Sequence, residues 1–146
     1  MNKFRETCSF GCENSSNFGL LALRTLPAYF LVSNHGWSKI TNPEKWNWLG
    51  TTFAKYFFGI LDFATPAFGF IAAFSESICA ILVLLGLFTR PAALLVAATM
   101  LIAAFHHITT TGNPESALVY FSVFIAIAFT GPGKFSLDSI LFASKK

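Results

Sequence analysis

Three side chains with acid–base chemistry lie at the ends of separate apolar segments of the sequence. They are His35, His107 and Glu115, and two further polar residues, Lys39 and His106, stand beside the histidines. Histidine exchanges protons near neutral pH, and an apolar slot with a few convergent polar groups is the usual form of a small-molecule site. If the three segments come together, these residues form a candidate polar site that could exchange protons with a bound small molecule.

The same residues offer weaker support for a metal site. Two histidines and a glutamate could hold a metal ion, but no two of them have the helical Glu-x-x-His spacing. A haem held by His35 and His107 would need space that their small neighbours would have to leave. Cys8 and Cys12 lack the second cysteine pair of a zinc site. We therefore predict no metal and no evident cofactor.

Arg24 and Glu76 are charged residues within apolar segments. A charge inside a bilayer is costly, so it is expected to be paired or to face a cavity. The sequence therefore predicts a buried Arg24–Glu76 ion pair. Such a pair could carry protons, or it could serve only to fix how the helices pack.

The elements that position these side chains are helices with recognisable inward faces. Residues three, four and seven positions apart share a helix face, and small residues allow membrane helices to approach closely. Each candidate polar residue shares its face with small residues. The four predicted faces are Arg24, Ala28, Leu31 and His35; Gly69, Ala73, Glu76, Ala80 and Val83; Ala93, Ala97, Met100, Ala104 and His107; and Glu115, Val119, Ser122 and Ala126.

Composition places these helices in a membrane. Hydrophobic residues make up 54% of the 146 residues and charged residues 12%, which is about half the charge of a typical soluble domain. The apolar segments lie at about 18–37, 66–88, 91–108 and 115–130, near the length of a membrane span. We predict an all-α membrane protein with a four-transmembrane-helix bundle over 18–133, a polar N-terminal tail (1–17) and a basic amphipathic C-terminal tail (134–146).

The connection between the first two spans carries its own helical pattern. Trp46, Leu49, Phe53 and Tyr56 recur at helical spacing after Asn42-Pro43, which predicts an interfacial amphipathic helix lying on the membrane surface. The side of the membrane with both termini carries more Lys and Arg than the other side. This bias predicts cytoplasmic termini in a bacterial inner membrane. The mild net charge of +3 has no basic block, which argues against nucleic acid as a partner.

Several short motifs together resemble the DoxX family of small four-helix integral membrane proteins. Arg24 is followed by His-Gly-Trp-Ser-Lys at 35–39, and Glu76 is followed by Leu-Gly-Leu-Phe-Thr-Arg at 85–90. Glu-Ser-Ala-Leu-Val-Tyr and Gly-Pro-Gly-Lys-Phe-Ser-Leu-Asp then begin at Glu115 and Gly131. Two departures are Ala28, where the family commonly has glycine, and a connection over 39–65 that is longer than usual.

The resemblance implies a redox-associated membrane protein, in which a quinone is a possible ligand of the polar site at His35, His107 and Glu115. Relatives include a subunit of a thiosulfate:quinone oxidoreductase and a component of an oxidoreductase complex linked to oxidative and thiol stress. The implied role is an accessory or anchor subunit rather than a self-contained enzyme, with the bilayer, an oxidoreductase subunit or further copies of the chain as partners. Two alternatives stay open: a structural scaffold without its own site, and a small transporter or proton path that uses Arg24, Glu76 and the histidines.

Overall fold

A computed structural model describes residues 2–57, 62–110 and 112–142, with side chains described from Asn14 onward. The regular structure over these ranges is entirely helical, which confirms the predicted all-α class. The helices are α1 (Asn2–Leu31), α2 (Trp37–Ile40), α3 (Glu44–Ala54), α4 (Thr65–Phe74), α5 (Ala80–Leu85), α6 (Thr89–Thr109), α7 (Glu115–Thr130) and α8 (Leu137–Leu141). Because α1 begins at Asn2, the polar segment predicted as a tail is part of the first helix.

Two of these helical stretches have the length and composition of membrane spans. One is Asp62–Leu85, which includes α4 and α5, and the other is Thr89–Thr109; their mean hydropathies are 2.2 and 1.8. At 1.5 Å per residue both exceed the roughly 30 Å of a bilayer core. Helix α7 is apolar but shorter. The arrangement of four crossings stays a prediction.

Two π-helical turns interrupt the long helices and face each other. Val32–Gly36 joins α1 to α2, and Ser75–Cys79 joins α4 to α5. Each turn is wider than an α-helical turn by one residue. The two turns are in contact, and a Cβ atom at Gly36 would collide with the carbonyl oxygen of Glu76. Only glycine permits this close approach of the two backbones.

The chain from α1 to α3 runs antiparallel along the whole of the Asp62–Leu85 helix. Helix α1 packs on α5, the two π turns meet, and α2 and α3 pack on α4. The contact between α3 and α4 is close because Cβ atoms at Gly50 or Gly69 would collide with the facing backbone. The predicted helix after Asn42-Pro43 is thus present as α3, but its flat position on the membrane surface is not confirmed, since α3 lies lengthwise against α4.

A short break at residues 41–43 separates α2 from α3. Carbonyl groups at the end of α2 have lost their helical partners there. The indole Nε1 of Trp46 donates to the carbonyl oxygen of Lys39 at 2.9 Å, and the Asn42 amide donates to that of Ser38 at 2.8 Å. The break is therefore stabilised by side chains, which fixes where α3 begins.

The predicted inward faces are correct for the second and third segments. Gly69, Ala73, Glu76, Ala80 and Val83 are all buried. On α6, the four residues of the face that precede His107 are buried as well. Helix α6 packs against α7 and against the Ser75–Cys79 turn. Small residues therefore line the centre of the bundle, as the spacing predicted.

The predicted face of α7 is wrong. Glu115, Val119 and Ser122 are exposed. The buried residues are Ala117, Phe124, Ile127 and Ala128. The alanine face of α6 leaves space that Phe124 fills, so α7 turns its bulky side chains inward. The exposed Ser122 satisfies its own hydroxyl by donating to the Val119 carbonyl oxygen at 2.8 Å.

The C-terminal segment closes the end of the bundle where α5 meets α6. The Asp138 carboxylate accepts hydrogen bonds from the backbone N–H groups of Phe88 and Thr89 and from the Thr89 hydroxyl, at 2.8–2.9 Å, and so caps the start of α6. Burial alone would raise the pKa of Asp138, but these hydrogen bonds and the positive charge of Arg24 outweigh it and hold the pKa below its usual range. Residues 143–146 of the predicted tail lie outside the described residues.

Candidate functional site

A cavity of about 520 Å³ lies between α3, α4 and α6. Its walls are mainly apolar, with Phe53 from α3, Phe68 from α4 and Ile102 from α6. Ala72 and Ala103 also line it, and their short side chains leave much of the space. The three helices thus form an open cavity whose volume suits a small molecule.

An ion pair between Lys39 and Glu76 forms one polar end of this cavity. The Lys39 Nζ atom lies 2.5 Å from Oε2 of Glu76, and the two side chains are 23% and 4% exposed. Glu76 belongs to the Ser75–Cys79 π turn. Lys39 follows the buried Gly36 by three residues, which places both on the same helix face, toward Glu76. Lys39 and Glu76 together form this end of the cavity.

Two adjacent histidines form the other polar end of the cavity. His106 and His107, near the C-terminus of α6, both line the cavity. The Tyr56 hydroxyl lies 2.5 Å from Oγ1 of Thr109 and 3.4 Å from Nδ1 of His106. Tyr56 therefore links the segment after α3 to α6 beside the histidines. Gly112 lies against the His107 ring so closely that a Cβ atom there would collide with it.

Arg24 and Glu76 do not pair with each other, and the predicted ion pair is corrected. Arg24 is 4% exposed; its guanidinium donates to the Pro132 carbonyl oxygen at 2.6 Å and to that of Phe135. Its positive charge also faces Asp138. The prediction considered only residues of the predicted spans as partners. In the structure the C-terminal segment supplies the partners of Arg24, and Lys39 pairs with Glu76.

His35 and Glu115 lie outside the cavity. His35 is exposed, and its ring meets that of Tyr120 edge-on at a centroid distance of 6.2 Å. Glu115 is exposed at the start of α7, where its backbone N–H donates to Oδ1 of Asn113 at 2.9 Å. The π turn explains the position of His35: its extra residue places Gly36 on the buried face. Of the predicted site residues, the cavity therefore brings together His107, His106, Lys39 and Glu76.

The role of Tyr56 beside the histidines and the inward position of Gly36 are two features that helical spacing does not predict. Tyr56 was assigned to an amphipathic surface, because its spacing matches such a helix. The inward position of Gly36 can be predicted only if the π turn is predicted as well. Over the described residues, no three His, Cys, Asp or Glu side chains are placed to hold a metal ion. The side chains of Cys8 and Cys12 lie outside the described residues.

Comparison with known proteins assigns the chain to a family. The DoxX family model matches residues 19–108, more than half of the chain, and this range contains both polar ends of the cavity. No curated protein and no solved structure matches the chain. The motifs that run from Arg24 to His107 and the two span-length apolar helices agree with the match. The chain is a membrane protein that belongs to the DoxX family.

Proposed function

We propose that this DoxX-family chain is an accessory or anchor subunit of a membrane redox complex, and that its cavity binds a quinone. The observation that carries the proposal is the cavity itself. Its volume of about 520 Å³ falls within the usual range of ligand pockets. Its apolar walls suit a quinone ring and tail, and its ends hold groups that can donate hydrogen bonds.

The polar ends suit the proton chemistry of a quinone. Reduction of a quinone to the quinol takes two electrons and two protons. Lys39 with Glu76, and the imidazoles of His106 and His107, are groups that exchange protons at the cavity. An oxidoreductase subunit would supply or accept the electrons. The chain would therefore contribute binding and proton exchange rather than the whole reaction.

In this proposal the bundle crosses a bacterial inner membrane four times. The crossings are the α1–α3 run, broken at residues 41–43, the Asp62–Leu85 helix, α6 and α7. Irregular backbone at membrane depth is tolerated where it is buried in protein or lines a cavity, and this break begins two residues after Lys39, which lines the cavity. With cytoplasmic termini, the cavity opens toward the outer half of the bilayer.

The test is to extract and quantify quinone from the gently purified protein. We expect bound quinone in the wild type, and its loss in His107→Ala and Glu76→Gln. The matched control is His35→Ala, a histidine outside the cavity that should keep the quinone. A wild-type protein that is quinone-free, and that fails to bind added quinone, would refute the cavity as a quinone site.

Co-purification tests the subunit role separately. Mass spectrometry of the complex should identify an oxidoreductase polypeptide that stays bound under gentle solubilisation. A chain that binds quinone without any such partner would contradict the subunit role. A chain that brings down an oxidoreductase but binds no quinone would be an anchor or scaffold.

A proton path is the second candidate function, and one observation favours it. Lys39 lines the cavity and also a separate groove of about 370 Å³ with Ser38, Glu44 and Lys45. Lys39 is thus a charged side chain that the cavity and this groove share. Proton flux into liposomes that contain the purified protein would support this function if the double variant Lys39→Gln/Glu76→Gln, which carries neither charge, abolishes the flux while the protein stays folded.

A further inference from the structure

We propose that the groove beside the break between α2 and α3 binds the headgroup of a phospholipid that carries both a phosphate and a primary ammonium group. The phosphate contacts Lys45, and the ammonium contacts Glu44. The ligand is thus of the phosphatidylethanolamine class. The groove is separate from the cavity, so this lipid site stands whether or not the cavity binds a quinone.

The groove combines charged, hydroxyl and apolar side chains in a volume of about 370 Å³. The residues that line it are Ser38, Lys39, Glu44, Lys45, Trp48 and Leu49. Trp48 is 66% exposed, and exposed tryptophan side chains are typical of the level at which a membrane protein meets lipid headgroups. The lining therefore has the mixed character that a lipid headgroup and its glycerol backbone require.

Two charges in the groove have no counter-charge within the described chain. Glu44 and Lys45 are both exposed, and neither forms an ion pair with another described residue. Adjacent residues of a helix do not face each other, so these two do not neutralise each other. The remaining cation of the groove, Lys39, is already paired with Glu76. The groove thus offers one positive and one negative group to a ligand.

The helix register places these charges close to the edge of the bilayer core. A core of about 30 Å corresponds to about 20 helical residues. Counted back from the turn that ends it, the Asp62–Leu85 helix enters the core near Pro66, where the apolar segment of the sequence also begins. A Cβ atom at Gly69 would collide with the Trp46 backbone, so Trp46 lies about 5 Å inside that edge at 1.5 Å per residue.

A headgroup with both charges satisfies both residues at this level. Glu44 and Lys45 directly precede Trp46, and an exposed charge so near the core is costly unless it is paired. The lysine stem can carry its ammonium outward to a phosphate, whereas the shorter Glu44 side chain needs a partner that comes to it. In ethanolamine phosphate the two charged groups are only two carbon atoms apart, and the Cα atoms of adjacent residues are about 3.8 Å apart.

The same geometry discriminates between common phospholipids. A primary ammonium donates charge-assisted hydrogen bonds to a carboxylate. A choline headgroup has no N–H to donate, and a glycerol headgroup brings no positive charge to Glu44. All three headgroups carry the phosphate that Lys45 contacts. We therefore expect Lys45 to contribute to affinity and Glu44 to selectivity.

Native mass spectrometry of the delipidated full-length protein tests the site, because it resolves each bound lipid by mass. The probes are dioleoyl phosphatidylethanolamine, phosphatidylcholine and phosphatidylglycerol, each added at the same concentrations. For the first bound lipid, phosphatidylethanolamine should bind about tenfold more tightly than either of the others. In Glu44→Gln its advantage over phosphatidylcholine should disappear, whereas Lys45→Gln should weaken the binding of all three lipids.

The matched controls are Glu115→Gln and Lys55→Gln, which remove exposed charges outside the groove and should leave the preference unchanged. Equal binding of phosphatidylethanolamine and phosphatidylcholine to the wild type, or the same preference in Glu44→Gln, would refute the ammonium contact. Tightest binding of phosphatidylglycerol would refute the choice of a zwitterionic headgroup, and unchanged binding in Lys45→Gln would refute the phosphate contact.

A soluble headgroup separates a lipid from a free phosphate ester. O-phosphoethanolamine has both charged groups but no acyl chains, so it forgoes apolar contact with Trp48 and Leu49. It should compete with the lipid at least about tenfold less well than phosphatidylethanolamine itself. Equal competition would overturn the lipid assignment, because the groove would then bind the phosphate ester alone.

Discussion

Substitution of Glu76 by glutamine should destabilise the protein by about 3 kcal/mol, because it leaves the Lys39 ammonium without its counter-charge. Removal of one partner from a buried ion pair costs about 3–5 kcal/mol. The Lys39 side chain is 23% exposed, so it can move its charged end toward water, which favours the low end of that range. An equilibrium shift of this size is more than about a hundredfold.

Substitution of the other partner, Lys39, should lower the stability by at least as much. Lys39→Gln leaves the Glu76 carboxylate, of which only 4% is exposed, without a partner. The double variant Lys39→Gln/Glu76→Gln carries neither charge and should recover most of the lost stability, because two amides can hydrogen-bond to each other. The double-mutant cycle then gives the coupling free energy of the pair.

Unfolding titrations in mixed micelles, followed by helical circular dichroism, measure these free energies. Glu115→Gln is the matched control, since Glu115 is exposed at the start of α7 and its loss should change stability by less than about 0.5 kcal/mol. The reasoning would be refuted if Glu76→Gln were as stable as the wild type, or if the double variant were no more stable than the single ones.

Two further predictions concern backbone approach and the C-terminal cap. Gly36→Ala should lower the free energy of unfolding by about 1–3 kcal/mol in the same titration, because its Cβ atom would collide with the Glu76 carbonyl oxygen. It should also lower the quinone occupancy. The control Gly19→Ala should change neither, since nothing lies within 4 Å of its Cβ position. The pKa of Asp138 lies below the ordinary 3.8, so its stabilisation is present above about pH 4 and is lost as pH falls through the lowered pKa; a stability–pH profile of Asp138→Asn should lack this loss.

Helical spacing was sufficient to predict the inward faces of the two long apolar helices. It predicted the burial of Glu76, and it placed His107 where it lines the cavity. The reason is physical: over an uninterrupted run, residues three and four apart must share a face. The Ser75–Cys79 π turn does not change this result, because Glu76 within it and Ala80 and Val83 after it are all buried.

The same rule failed where a turn or a packing preference departed from regular spacing. The extra residue of the Val32–Gly36 turn moved His35 out of the bundle and brought Lys39 to Glu76. On α7, small and polar residues were expected inside, but the alanines of α6 accept Phe124 instead. The partners of Arg24 lie after the last span, where hydropathy gives no signal of a contact.

The partners of Arg24 have a consequence for the order of synthesis. Its guanidinium donates to carbonyl oxygens 108 and 111 residues later in the chain. During translation Arg24 therefore reaches the membrane long before Pro132 and Phe135 leave the ribosome. Until then its guanidinium lacks the two carbonyl partners that it has in the folded chain. A chain that ends before Pro132 would leave Arg24 without them, so loss of the C-terminal segment should destabilise the first helix as well as the end of the bundle.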